Sequence, residues 1–83
     1  MDYVLTKHAQ DVMSARNIKQ AWLEKVLDSP ERVEPDGEDV ELEHRIGRIG
    51  EYGDRVLRVI LNGKSRPKQV VTAYFDRSLR DKI

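Results

Sequence analysis

The spacing of apolar positions changes twice along the chain and predicts a short strand, two helices and then a sheet. Residues 3–6 (YVLT) form a brief apolar run that is typical of a strand. Thr6 is a candidate cap for a first helix, because a threonine hydroxyl accepts a hydrogen bond from an unpaired N–H of the first turn. That helix carries a stripe at helical spacing that consists of Ala9, Val12, Met13 and Arg16.

Asn17 is a candidate cap for a second helix, and Ser29-Pro30 is expected to end it because proline cannot continue a helix interior. The stripe of this helix consists of Ile18, Ala21, Trp22, Val26 and Leu27. The next residues, 31–43, are rich in acidic side chains and include the turn sequence PDG at 35–37. We expect a solvated loop or an edge strand there, without a functional site.

The second half of the chain has β character. Residues 55–61 and 69–76 are rich in β-branched and aromatic side chains, and residues 40–49 alternate imperfectly between apolar and polar. Residues 50–54 and 62–67 have the length and composition of hairpin connections. The predicted order is β-α-α-β-β-β, an α+β fold with two N-terminal helices packed on one face of a mainly antiparallel sheet.

A length of 83 residues allows one domain, since a chain of this size buries roughly 60% of its unfolded surface. The predicted domain spans residues 1–83. The polar segment 77–83 is expected to fray or to form a terminal helical turn.

Strand alternation predicts which side chains face away from the helices. In the last strand, Val71, Ala73 and Phe75 are expected to face the helices. Arg58 is expected on the opposite face, and a bulge at Gly47 or Gly50 is expected in the strand before it. By the same count His44 is expected to face the core. The side chains of the last strand that are expected to share the face of Arg58 are Val70, Thr72, Tyr74 and Asp76.

Charge is divided between the two halves, although the formal net charge is zero. Residues 1–43 contain 5 Lys/Arg and 11 Asp/Glu, whereas residues 44–83 contain 10 and 4. The basic second half predicts an anionic partner. The chain has no cysteine, which excludes disulfides and thiol catalysis. Its apolar stretches are far too short to span a membrane and its start lacks signal-peptide features, so we expect a cytoplasmic protein without a membrane partner.

Motifs spread over nearly the whole chain resemble one family. They are T-K-H-A-x-x-x-M-x-x-R-x-I at 6–18, VLDSPE at 26–31, LRVI at 57–60 and VVTAY at 70–74. Together they resemble DUF4258, a family of small bacterial domains without an assigned function. That family is similar in layout to the BrnT and RelE toxins, small ribonucleases of type II toxin–antitoxin systems. The resemblance implies metal-independent RNA cleavage at the open face of the sheet and the start of the first helix.

Metal-free RNA cleavage needs a base for the 2′-hydroxyl, an acid for the departing 5′-oxygen and cations near the phosphorus. The histidine at the positive end of the first helix is the candidate base. Hydroxyl groups of the last strand can orient the phosphate or donate the proton, and guanidinium groups can clamp its oxygens. The candidate catalytic residues are therefore His8, Arg58, Thr72 and Tyr74, and the candidate binding residues are Arg45 and Arg77.

Some of these residues also have a purely structural interpretation. His8 can cover the edge between helix and sheet, and Arg58 can pair with Asp76 across strands. His44 is not interpreted as an acid–base partner of the nearby glutamates, because strand alternation separates them. We expect no metal and no cofactor, since the two histidines lack the short-spaced ligand pairs of a zinc site.

Two classes of function stay open. One is a toxin-like endoribonuclease that is neutralised by an antitoxin-like protein, whose acidic or extended segment covers the basic face. The zero net charge argues against strong ribosome binding. The other is a non-catalytic module that binds a protein or a nucleic acid with the same face. A homodimer formed by edge-strand pairing is a further expectation.

Overall fold

The computed structural model describes residues 2–83 and contains an open sheet with two helices. Helices α1 and α2 span Lys7–Ala15 and Gln20–Asp28. The chain also forms two 3-10 turns, Gly50–Tyr52 and Arg77–Leu79. Strands β1 to β5 span Tyr3–Leu5, Arg32–Pro35, Leu42–Ile49, Arg55–Asn62 and Lys68–Phe75. The predicted α+β class is confirmed, with one strand more than the predicted order contains.

The additional strand, β2, forms one edge of the sheet. The strand order is β1-β5-β4-β3-β2, with β1 parallel to β5 and every other pair antiparallel. β2 lies in the acidic segment, for which the sequence predicted either a loop or an edge strand. Pro35 is its last residue, and a proline is tolerated on an edge strand because its missing N–H removes no bond from the middle of the sheet.

The helix boundaries follow local capping chemistry. The Thr6 hydroxyl accepts a hydrogen bond from the Ala9 N–H at 3.1 Å, which confirms the predicted cap of α1. The cap predicted at Asn17 is wrong, because α2 begins at Gln20. Asn17 instead turns the chain between the helices with a φ of 55°, a conformation that asparagine tolerates better than most residues. Ser29 ends α2 as predicted.

The core lies between the two helices and one face of the sheet. Trp22 anchors one side of it and contacts the rings of Tyr52 and Phe75. Ala21, which was expected in the helix stripe, is exposed. The buried cluster consists of Ala9, Met13, Ile18, Trp22, Leu23, Val26, Leu27, Ile49, Leu57, Val59, Leu61, Val70 and Ala73.

The bulge lies in β5 rather than at the predicted glycines. Ile60 pairs with Thr72, but Leu61 pairs with Val70, so Val71 is an extra residue on β5. The β3–β4 register runs from Leu42 to Ile49 without a shift. Because the bulge reverses the alternation, Val70 turns into the core, and its predicted place on the opposite face is wrong.

Candidate functional site: an arginine groove beside a polar sheet face

The sheet face that points away from the helices, the outer face, is polar along its middle. Side chains of directly paired residues share a face, and the register aligns two rows of them. One row contains Glu34, His44, Ile60 and Thr72, and the next contains Arg32, Ile46, Arg58 and Tyr74. The predicted grouping of Arg58 with Thr72 and Tyr74 is confirmed. The predicted core position of His44 is wrong, because it lies in the first of these rows.

Arg58 is the centre of this face and is tied into it by three contacts. Its Nε donates to Asp76 Oδ2 at 3.0 Å, and its Nη1 donates to His44 Nδ1 at 2.8 Å and to Glu34 Oε1 at 3.4 Å. The Arg58 side chain is only 12% exposed. Its pairing with Asp76 is the structural interpretation given above, and it leaves Arg58 little freedom to bind a ligand.

His44 lies between Arg58 and the acidic loop and contacts both. A guanidinium can only donate, so the Nδ1 that faces Arg58 must be an unprotonated acceptor. Its Nε2–H then donates to Asp36 Oδ1 at 2.7 Å. Hydrogen bonds from the N–H groups of Asp39 and Glu38 and from His44 lower the pKa of Asp36 to about 2. His44 therefore links the acidic loop to Arg58, and both of its ring nitrogens are used.

A groove opens where β4 begins and β5 ends, next to the last turn of α1. It has a volume of about 690 Å³ and is open to solvent. Four guanidinium groups line it, and Asp76 is the one carboxylate among its described lining residues. The residues that define this arginine groove are Arg16, Arg55, Val56, Tyr74, Phe75, Asp76, Arg77 and Arg80.

Three separate segments supply the arginines of the groove. Arg16, directly after α1, donates to the Ala73 carbonyl at 2.9 Å, and Arg55 at the start of β4 donates to the Tyr52 hydroxyl at 3.0 Å. Arg77 begins the C-terminal 3-10 turn and Arg80 directly follows it, and their side chains make no hydrogen bond or ion pair within residues 2–83. The groove therefore has two guanidinium groups whose charge the described chain does not neutralise.

Asp76 fixes the turn that carries two of these arginines. Its Oδ1 accepts from the backbone N–H of Ser78 at 3.0 Å and from the Ser78 hydroxyl at 2.5 Å, while Oδ2 faces Arg58. The Ser78 hydroxyl and Arg58 hold the pKa of Asp76 below its ordinary value. Asp76 thus stays ionised, and it joins the outer face to the wall of the groove.

Tyr74 has a free hydroxyl beside the arginines. It lies on the outer face and lines the groove, and its hydroxyl has no hydrogen-bond partner among residues 2–83. A phenol next to guanidinium groups can donate a hydrogen bond or a proton to a phosphate oxygen. Tyr74 is therefore the group of the groove best suited to act on a bound anion.

The predicted site residues do not form one cluster. Tyr74 and Arg77 lie together in the groove, and Arg58 and Thr72 lie next to Tyr74 on the outer face. Arg45 lies on the helix side of the sheet, where it donates to the Leu27 carbonyl at 2.6 Å and to Glu43. The clamp predicted from Arg58, Arg45 and Arg77 is thus not assembled, because Arg45 lies outside the groove that Arg77 lines.

His8 lies apart from the groove. It is exposed near the start of α1, whereas Arg16 follows the other end of that helix, about 12 Å further along its axis. The His8 side chain makes no hydrogen bond or ion pair within residues 2–83. The structure therefore does not bring the candidate base to Tyr74.

Three arginines of the groove were missed by the analysis of the sequence. No local sequence pattern marks Arg55 or Arg80 as a site residue. Both line the groove only because the folded sheet brings the start of β4 and the C-terminal turn together. Arg16 did carry one, since it continues the stripe of α1 that contains Met13 and therefore points toward the sheet.

Two further findings concern metals and membranes. Residues 2–83 contain no group of three His, Asp or Glu side chains arranged to hold a metal ion. In the same part of the chain, neither helix has the length and the apolar composition that crossing a membrane requires.

A family model described as "Domain of unknown function (DUF4258)" matches residues 5–75. The chain belongs to the DUF4258 family. The DUF4258 match runs from the last residue of β1 to the last residue of β5, so it includes Arg16, Arg55 and Tyr74 and ends before Arg77. No curated protein and no solved structure matches the chain. The antitoxin-like partner, the homodimer and the cytoplasmic location stay predictions for this DUF4258 domain.

Proposed function

We propose that the domain binds RNA through its phosphodiester backbone in the arginine groove. The observation that carries the proposal is the convergence of four guanidinium groups on one open groove, two of them without a partner in the described chain. A guanidinium offers a planar fork of donors that matches phosphate oxygens. Uncompensated positive charge at such a site is relieved by an anion.

The arrangement of the arginines favours a chain of phosphates over a single small anion. They come from the end of α1, the start of β4 and the C-terminal turn, and the groove that they line, about 690 Å³, has the size of a site for a ligand larger than one phosphate group. The resemblance to toxin ribonucleases selects RNA among polyanions. With at most four phosphate contacts, the logarithm of the binding constant should fall with the logarithm of salt concentration at a slope of roughly −3 or less steep.

Removing the two unpartnered guanidinium groups is expected to weaken RNA binding. The variant Arg77→Gln/Arg80→Gln should lose affinity for a labelled RNA by about tenfold at low salt and reduce the salt slope by about 1.4, since each lost contact removes about 0.7. Filter binding over a series of salt concentrations measures both quantities. The matched control is Lys64→Gln/Arg66→Gln, which removes two exposed charges from the β4–β5 connection. An equal loss in both variants would show that binding does not depend on the groove.

Cleavage of the bound RNA is a second candidate function, and the free hydroxyl of Tyr74 favours it. In this reaction the 2′-oxygen attacks the phosphorus, the bond to the 5′-oxygen breaks, and Tyr74 gives its proton to that oxygen. The guanidinium groups of Arg16 and Arg55 stabilise the charge on the phosphoryl oxygens. The proton of the 2′-hydroxyl leaves to solvent, because Asp76 is a weak base while its pKa is lowered. The products are a 2′,3′-cyclic phosphate and a 5′-hydroxyl end.

Tyr74→Phe separates cleavage from binding. We expect this variant to keep the RNA affinity of the parent and to lose cleavage by about 100-fold, a typical effect for removal of a general acid. The measurement is the incubation of total RNA with each purified protein, with and without EDTA, and the analysis of the end groups. Intact RNA with the parent protein would leave binding as the function. Cleavage that stops in EDTA would contradict a metal-free reaction.

A further inference from the structure

A stack of aromatic rings adjoins the arginine groove at Arg55. The ring of Tyr52 lies parallel to that of Trp22, with 5.1 Å between centroids and 21° between planes. The Arg55 guanidinium lies over the Tyr52 ring, 4.4 Å from its centroid. Phe75, which also lines the groove, contacts Tyr52 with 5.1 Å between ring centroids. Arg55 and Phe75 therefore belong both to the stack and to the lining of the arginine groove.

We infer that an unpaired base stacks on the outer side of the Arg55 guanidinium, which covers the Tyr52 end of this stack, so that the RNA bound in the groove is single-stranded. The inference rests on the proposed function, because the phosphates in the groove bring the base to the stack. Bases stack on aromatic rings and on guanidinium planes without regard to sequence. In a duplex the faces and edges of the bases are already stacked and paired, so they are not available to a side chain.

Exposure distinguishes Tyr52 from a ring of the core. Tyr52 is 38% exposed, and it is the one aromatic residue among the exposed large hydrophobic side chains of residues 2–83. Trp22 is 6% exposed and holds the stack from below. Arg55 is also exposed, so its guanidinium offers an outer surface on which a base can stack.

The stack is held in place before any ligand arrives. The Trp22 indole N–H donates to Glu51 Oε1 at 2.7 Å, which fastens the 3-10 turn Gly50–Tyr52 to α2. Gly53 ends that turn with a φ of 66°, a conformation that glycine adopts without steric cost. Because the turn is fixed at both sides, binding a base requires little ordering of the protein.

The test compares one single-stranded RNA oligonucleotide with a duplex of the same length. The parent protein is expected to bind the single strand more tightly. Tyr52→Ala removes the ring that supports the Arg55 guanidinium, so it should lower affinity for the single strand by about tenfold. Affinity for the duplex, which uses only the charge of Arg55, should stay unchanged. Tyr52→Phe keeps the ring and should bind like the parent. Tyr52→Leu keeps an apolar contact with Trp22 and should behave like Tyr52→Ala, which separates stacking from folding.

The fluorescence of Trp22, the single tryptophan of the chain, is a second measurement, since a base stacked near Tyr52 is expected to change it. Equal affinity of the parent for both RNAs, or equal losses for both RNAs on removal of the ring, would overturn the inference. If those results occurred while Arg77→Gln/Arg80→Gln still weakened binding, RNA binding in the groove would remain supported. Only the stacking of a base would be contradicted. Binding that is insensitive to the arginines would instead remove the proposed function.

Discussion

Replacement of Arg58 by methionine is expected to lower the free energy of unfolding by about 2 kcal/mol, the cost of leaving carboxylates without a part-buried cation, which lies between the costs for exposed and for fully buried pairs. Arg58 is 12% exposed and contacts two carboxylates, Glu34 and Asp76. It also supplies the donor to His44 Nδ1. Methionine fills much of the same volume, so the loss reports on the charge and the hydrogen bonds. Urea unfolding followed by circular dichroism measures the change.

The control is a double variant that also removes the carboxylate opposite Arg58. Asp76→Asn keeps the side-chain oxygen that accepts from Ser78, so the C-terminal turn retains its cap. Arg58→Met/Asp76→Asn should therefore be more stable than Arg58→Met alone, because an uncompensated charge has been removed. If Arg58→Met unfolded at the urea concentration of the parent, the contacts of Arg58 would contribute nothing measurable to stability.

Trp22→Ala is expected to cost about 3–5 kcal/mol, the usual loss for removing a large aromatic ring from a core. The Trp22 ring is 6% exposed and contacts both Tyr52 and Phe75. Its indole N–H also bonds Glu51 at 2.7 Å. For a domain of 83 residues, whose total stability is typically about 4–12 kcal/mol, this is a large fraction.

The loss in Trp22→Ala is measured by circular dichroism in urea, since the substitution removes the fluorescent probe. Tyr52→Ala is the comparison, because it removes the other ring of the same stack from a position that is 38% exposed. Its loss should be clearly smaller. Equal losses of unfolding free energy in the two variants would mean that the buried Trp22 ring stabilises the domain no more than the exposed Tyr52 ring does. Trp22 would then not be an anchor of the core.

The helices and the three long strands were predictable because each has its own periodicity. α1 follows from Thr6 and the stripe behind it, β3 follows from an imperfect alternation of apolar and polar residues, and β4 and β5 follow from runs of β-branched and aliphatic residues. β2 has only four residues with a single apolar side chain, Val33, apart from its proline. It forms because β3 offers it hydrogen-bonding partners, and no local pattern reports such a partner.

The outer face was predictable in part, since alternation alone brings Arg58, Thr72 and Tyr74 to one side of the sheet. The position of His44 was not, because it alternates in phase with Ile46, and this apolar residue is buried on the outer face instead of in the core between helices and sheet. Val70 was misplaced by the extra residue at Val71. The groove was not predictable as a unit, since its four arginines come from three segments that are far apart in sequence and meet only in the tertiary structure.

The contacts from Asp36 through His44 and Arg58 to Asp76 connect the acidic loop at one edge of the molecule with the turn that carries Arg77. In this series Arg58 donates to both His44 and Asp76, and the Asp36 carboxylate accepts from His44. A substitution at one end of this series therefore changes the contacts of the next side chain, and the four side chains form one connected set. The acidic first half of the chain is thus connected by hydrogen bonds to the turn of the basic half that carries Arg77.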